Sequence, residues 1–351
     1  MIAPGARPST QRLGQIDALR GLAAMAVVLY HYSTRFGQLY PQAPQVSWAL
    51  PDGHFGVNLF FIISGFVIFM TITRTHRPAD FVVSRFSRLY PAYWAAVALT
   101  FAITQALPLP GKTVDGASAL ANLLMFHGLF GVPHVDGVYW TLEVELLFYA
   151  MALLLFSTRQ VARVHLFLLA LLALRLAYHA SSVWLHHDLS WTVSRLLILP
   201  FIPWFALGIC IDQWSRPAGF AGADKLSMAT AAAALLSLAV VDSPAIALLA
   251  LVLGAAVLGA AQGRLRWLEN RCLVWLGAIS YPLYLLHENI GWAVMLQLTH
   301  SGWPPDLAVA VTLLAVLALS DALRRVVERP AMGLIRKLYR RRSPGAEVRH
   351  A

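Results

Sequence analysis

The chain has 351 residues, 58% of them hydrophobic and 13% charged, with a formal net charge of +10 and two cysteines. Soluble domains carry roughly 25% charged residues, so half the usual polar cover is missing and a wholly water-facing surface is excluded. The charge does not mark nucleic-acid binding either. The basic residues sit in short segments between apolar runs, the densest group (Arg336, Lys337, Arg340, Arg341 and Arg342) follows the last run, and no glycine-rich, zinc-finger or RNP-type signature accompanies them.

Apolar runs long enough to cross a bilayer occupy 16–34, 54–73, 89–107, 139–157, 164–180, 191–212, 226–242, 244–262, 272–298 and 306–327. They predict an all-α integral membrane protein, a bundle of about ten transmembrane helices. No small-residue cleavage site follows the first run, which is therefore read as an uncleaved span. With the N-terminus placed in the cytoplasm, alternation puts nearly all basic residues inside and leaves only Arg35, Lys112, Arg175 and Arg195 outside or within spans. Both termini are then cytoplasmic, in a multi-pass protein of the cell inner membrane. The expected organisation is a tail over 1–15, a membrane domain over 16–330 and a basic tail over 331–351. Cys210 and Cys272 are far apart and predict neither a disulfide framework nor a metal site.

In the first span Asp17, Arg20 and His31 share one face, with Arg20 and His31 about 16 Å apart along the axis. Ionisable groups on a membrane helix must face protein or water, as a site or as a structural ion pair and a bonded core histidine. The second span contains Ser64-Gly65, a packing notch or part of a channel wall. Arg85 and Arg88 follow, three residues apart on one side of a helix. They are a fork for phosphate or a positive-inside anchor. The stretch 108–138 is the longest between spans, and its apolar piece Leu120–Phe130 is too short to cross, so it lies along the interface or dips in. The fourth span opens with Trp140, Glu143 and Glu145, the carboxylates about 200° apart. Glu143 is nearer the surface, and Glu145 is the better functional candidate or a partner in a structural contact. In the ninth span Ser280, Tyr284 and His287 share a face, as a site or as a core hydrogen-bond network.

Taken together and in order, these residues resemble the acyltransferase 3 family of polytopic bacterial membrane proteins. The marks are Arg20 and His31, the run Gly56 to Phe66, Arg85 with Arg88, Trp140-Thr-Leu-x-x-Glu145 with Phe148 and Tyr149, Ser280-Tyr281-x-x-Tyr284-x-x-His287, and Glu328-Arg329-Pro330. The resemblance implies O-acylation, usually acetylation, of an extracytoplasmic glycan or lipid-linked sugar, with cytoplasmic acyl-CoA as donor substrate and no bound cofactor. It points to Arg20, His31, Arg85, Arg88 and Glu145. Asn58 stands where many relatives carry an acidic residue. Some relatives carry an added esterase-like domain. None follows the tenth span here, so a partner enzyme is expected to be a separate chain.

Depth along the spans predicts that His31, Glu145 and His287 converge on one plane in the outer half. His31 would be general base or acyl relay there. Asp17, Ser64, Tyr284 and Trp140 would complete the donor and acceptor surfaces. A transporter or flippase of a glycan precursor is the rival class. It would require paired broken helices in two halves, and no internal repeat is evident.

Overall fold

A computed structural model of the chain describes residues 9–107, 109–216 and 224–342. Among the described residues there are helices and turns but no strand. That is what apolar segments must do where no water satisfies the backbone. In chain order the helices are α1 (Ser9–Tyr30), continued through a π-helical turn (His31–Arg35) into α2 (Phe36–Leu39), then α3 (Gly56–Ile72), α4 (Pro78–Ala106) and α5 (Gly116–Asn122). They continue with α6 (Trp140–Ser157), α7 (Val164–Trp184), α8 (Trp191–Leu196), α9 (Ile202–Trp214), α10 (Lys225–Val241) and α11 (Pro244–Ala261). The last are α12 (Arg271–Leu286), α13 (Glu288–His300), α14 (Pro305–Leu323) and α15 (Arg329–Arg342).

Five described stretches are long and apolar enough to cross a membrane: Pro51–Ile72, Gly137–Ser157, Val161–Trp184, Pro244–Ala261 and Pro305–Arg342. Leu154, Leu236, Leu248, Leu251 and Leu314 are each more than half exposed, as lipid-facing side chains are. Inside, helices cross at glycines. A Cβ on Gly21 would strike the Gly277 backbone where α1 meets α12, and one on Gly65 would strike the Phe205 carbonyl where α3 meets α9.

Four elements depart from the sequence expectation. The third span begins at Pro78, so Arg85 and Arg88 lie inside a helix of 29 residues rather than before it. Proline suits that first turn because its missing N–H would be unpaired there anyway. The sixth run is interrupted: α8 stops at Leu196, Ile198 takes a φ of +45°, and Pro200 bars helix for the residue before it.

The ninth run breaks at His287. Pro282 gives no N–H to the ladder, and His287 Nδ1 takes the carbonyls of Leu283 (3.2 Å) and Tyr284 (2.8 Å). The tenth run passes through a π-helical turn (Arg324–Glu328) and stays helical to Arg342. The basic stretch expected as a tail from 331 is thus helix as far as 342. Residues 343–351, and 1–8 of the expected N-terminal tail, lie outside the described residues.

The 109–138 stretch turns back into the bundle. Tyr93 OH donates to the Asn122 carbonyl (2.7 Å) and Trp94 Nε1 to that of Leu123 (3.0 Å). Those side chains sit about 20 Å below the end of α4, counted at the rise per residue. Non-helical backbone at such depth needs protein partners, which the two aromatic side chains supply. The return also delivers Asp136, whose carboxylate accepts from the N–H of Val138 (3.2 Å) and of Asn289 (3.0 Å). One side chain thereby caps the turn entering α6 and the start of α13, pinning the loop to the break at His287.

Candidate active site

Two chambers meet inside the bundle. The first, a cavity of about 80 Å³, is lined by Arg20 from α1, Ser64 from α3, Arg85 and Arg88 from α4, and Glu145 and Tyr149 from α6. Its polar groups form a chain. Ser64 Oγ donates to Glu145 Oε1 (2.9 Å), and so does the Tyr149 hydroxyl (2.5 Å). Arg85 also hydrogen-bonds Tyr149, which couples the guanidinium to the carboxylate through one phenol. Arg20 lies 3.5 Å from Asp17, an i, i+3 pair whose acid is half exposed. The buried Arg85 Nε has no hydrogen-bond partner.

The second chamber is larger, about 410 Å³, and is lined by His31, Arg35, Asn58, Lys112, Trp140 and Glu288 among others. Val57, Phe61 and Tyr284 line both chambers and form an apolar septum between them. Tyr284 is held there by its hydroxyl, 2.8 Å from Thr141 Oγ1. Trp140 is a wall of the histidine chamber, its ring 5.5 Å from that of Phe201.

Hydrogen bonding assigns the histidine tautomers. His287 Nδ1 faces two carbonyl acceptors, so it carries the proton, and its Nε2 is left as an acceptor. That Nε2 lies 3.1 Å from His31 Nδ1, which also faces the Val27 carbonyl at 2.9 Å. His31 Nδ1 must therefore be the protonated nitrogen, and Nε2 holds the free lone pair. This nitrogen points into the chamber, 3.4 Å from Glu288 Oε2. Glu288 Oε1 lies 3.6 Å from Lys112 Nζ, and Lys112 rests over the Trp292 ring at 5.2 Å. Trp292 in turn donates Nε1–H to the His31 carbonyl (2.9 Å), bracing the π-helical turn.

His31, Glu145 and His287, expected to converge, are divided between the two chambers. His31 and His287 touch, but Glu145 lines the other chamber with the arginines. A count of depth along each span says nothing of the septum between the chambers. Ser64 and Gly65 divide the two roles proposed for them, Gly65 packing against α9 and Ser64 facing the chamber. Glu143 is buried and grips Arg195 with bonds of 2.7 and 3.0 Å. Ser280 Oγ turns to the Gly277 carbonyl (2.8 Å). Glu288, Lys112 and Asp136 were not foreseen, and Tyr149 was named only as part of the fourth-span motif. For Glu288 a signal existed, an acid in an apolar run. For Lys112 there was none, because its position depends on the path of the loop.

An imidazole with one free nitrogen, set deep among apolar helices beside a buried carboxylate, belongs to membrane proteins that move a proton or transfer a group. The chain belongs to the acyltransferase 3 family, whose profile, described as an acyltransferase domain, matches residues 13–325. It is 33% identical over 224 residues to BcsY of Komagataeibacter xylinus, named as a membrane-bound transacylase, covering 59% of this chain and 52% of that protein. It is 28% identical over 337 residues to nodulation protein 10 of Rhizobium leguminosarum bv. viciae, covering 82% and 84% of the two chains. It is also 28% identical over 199 residues to the peptidoglycan O-acetyltransferase OatA of Listeria monocytogenes, covering 51% of this chain and 29% of that one. The chain thus spans about half of BcsY and less of OatA. No solved structure matches.

Proposed function

We propose that this chain is an O-acyltransferase of about ten spans in the inner membrane, both termini cytoplasmic. It would move an acetyl group from cytoplasmic acyl-CoA to a hydroxyl of an extracytoplasmic glycan or lipid-linked sugar. The observation that carries the reading is the contact of the two chambers across one septum. Phosphates are well matched by guanidinium groups and cannot enter the bilayer core without large cost. A thioester arm anchored at Arg85 and Arg88 would pass Val57, Phe61 and Tyr284 to reach His31.

In this mechanism the sugar hydroxyl lies against His31 Nε2, which takes its proton as the oxygen attacks the thioester carbonyl. The new O–C bond forms, the C–S bond breaks, and the leaving thiolate recovers the proton from His31. Glu288 stabilises the transient imidazolium, and His287 holds the ring in the tautomer that leaves Nε2 basic. The name of OatA, a peptidoglycan O-acetyltransferase, agrees with a glycan acceptor, and that of BcsY, a transacylase, agrees with acyl transfer. Membrane lipids surround the bundle, and nucleic acid has no place in this scheme.

The interruptions at 197–201 and at His287 are the feature that favours a transporter, since such folds bind substrate at broken helices. The first of them, however, is packed with the buried apolar side chains of Ile198 and Leu199. The deciding experiment is release of thiol from acetyl-CoA by the purified chain with a sugar acceptor, beside His31→Ala. Glycan movement without thiol release would establish the transporter instead.

A further inference from the structure

Four basic residues fall outside or within the spans of the sequence reading, where cations are disfavoured: Arg35, Lys112, Arg175 and Arg195. Two of them are held in tight ion pairs. Arg175 Nη2 lies 2.7 Å from Asp242 Oδ2, and Arg195 Nη2 lies 2.7 Å from Glu143 Oε1. The other two, Arg35 and Lys112, both line the histidine chamber.

Local structure puts each of them there. Arg35 closes the π-helical turn that His31 opens, so it stands one turn further out on nearly the same side of the helix. It is partly buried and its charge acts on both His31 and Glu288. Its Nη1 donates to the Gln38 side chain (3.2 Å), and among the described residues no carboxylate lies within ion-pair distance of it. Lys112 arrives on a loop whose start is anchored. Leu109 is buried, and the Tyr40 hydroxyl donates to the Pro110 carbonyl (3.1 Å).

The chamber these cations face is shaped for a small polar molecule. Its volume of about 410 Å³ lies within the usual range for ligand sites, and Tyr30, Trp140 and Phe201 supply apolar faces. Glu288 is the one carboxylate of the lining, and it is divided between Lys112 Nζ at 3.6 Å and His31 Nε2 at 3.4 Å. A neutral sugar filling this space would displace water from Arg35 and supply no charge in exchange, which costs affinity. A sugar with an anionic group avoids that cost.

We propose that the acceptor is anionic: Arg35, with Lys112 beside it, holds a carboxylate or phosphate of the sugar while a hydroxyl of the same molecule lies against His31 Nε2. The inference rests on the acyltransferase reading above and adds the charge of the acceptor to it. A guanidinium holds either anion through two parallel N–H bonds, where an ammonium is a point charge.

The test uses the full chain in phosphatidylcholine nanodiscs with acetyl-CoA, and reads thiol release against three acceptors. They are a tetrasaccharide containing glucuronic acid, the same tetrasaccharide with its carboxyls reduced to hydroxymethyl groups, and the reduced form carrying a terminal phosphate. At least one anionic form should show a KM about tenfold or more below that of the reduced form, the scale of one hydrogen bond to a charged group. Whichever form does so identifies the anion. Arg35→Gln should close the gap by raising the KM of the anionic form toward that of the reduced one, and Arg35→Lys should keep part of it. Equal KM for all three acceptors with the wild-type chain, or an advantage that survives Arg35→Gln, would overturn the inference while leaving acyl transfer intact. Loss of the reduced acceptor by the same factor in Arg35→Gln would make the residue structural and overturn it as well. No thiol release from the wild-type chain with any of the three would remove the acyltransferase reading itself.

Discussion

His31 Nδ1 and His287 Nε2 lie 3.1 Å apart, and the two carbonyls that hold the far side of His287 decide which of them owns the proton. The break in the ninth run and the choice of base are therefore one event. The side chain that interrupts the helix at α12 also sets the tautomer of its neighbour on the first span.

His31→Ala should lower acyl transfer by about two to four decades, the range for loss of a general base. Its level in the membrane should stay normal. His287→Gln retains a polar group but cannot lock the imidazole, and should cost about 10- to 100-fold, as does loss of a group that orients a functional histidine. Single-turnover rates with saturating acetyl-CoA would check both. Equal loss in the two variants would remove the distinction between base and orienting group.

The septum gives a second prediction. Val57→Trp should fill the passage between the chambers, leaving coenzyme A binding within about threefold and lowering transfer by about a hundredfold or more, because misplacement of about 1 Å already costs that much. Binding isotherms beside turnover would show the split. Parallel loss of both would mean that the chambers are not joined along this line.

How much of this was legible in the sequence depends on the kind of feature. Arg20, His31, Arg85, Arg88, Glu145 and His287 stand out because an ionisable group in an apolar run is costly wherever the run packs. All of them line the two chambers or touch a residue that does. Depth along a span could not distribute them between chambers, since rise per residue fixes height and says nothing of the Val57, Phe61 and Tyr284 side chains between. Lys112 and Asp136 come from a stretch with no period, whose path is set by distant aromatic side chains. The docking of α15 on α4, where Arg336 Nε donates to Ser87 Oγ and the Tyr339 hydroxyl to Asp80 Oδ1, was hidden by composition. A basic run after a last span reads as positive-inside charge whether or not it packs.

Glu143 and Arg195 supply a stability prediction. Glu143→Gln leaves a guanidinium facing a neutral amide in a largely buried setting, and removal of one partner of such a pair costs about 3–5 kcal/mol when both are fully buried. Arg195 is 27% exposed at its side chain, so a smaller loss is expected, on the order of 1–3 kcal/mol, the cost of leaving one polar group unsatisfied. Thermal unfolding in detergent should show it. Glu145→Gln, by contrast, should cost donor use more than it costs melting temperature.

The last prediction concerns the loop that brings Lys112 to the site. His127 and His134 in that loop face each other with Nε2 and Nδ1 2.7 Å apart, and Glu143 of α6 and Arg195 of α8 close the same cluster beside Gly128. At that distance one nitrogen must donate and the other accept, so only one proton fits between the two rings. Burial, with His134 alongside, pushes His127 down to about 4, and burial with Arg195 lowers His134 as well. A detached loop would titrate near the ordinary histidine value of about 6.5. Between those values the detached state binds more protons, so docking is strongest above about pH 6.5 and weakens as pH falls toward 4. Met125, 1% exposed in the same loop, is a reporter. Its oxidation by hydroxyl radicals should be slow at pH 7.5 and rise as pH drops through that window, and His127→Gln should flatten the response. A Met125 signal that does not change with pH would show that these histidines do not hold the loop.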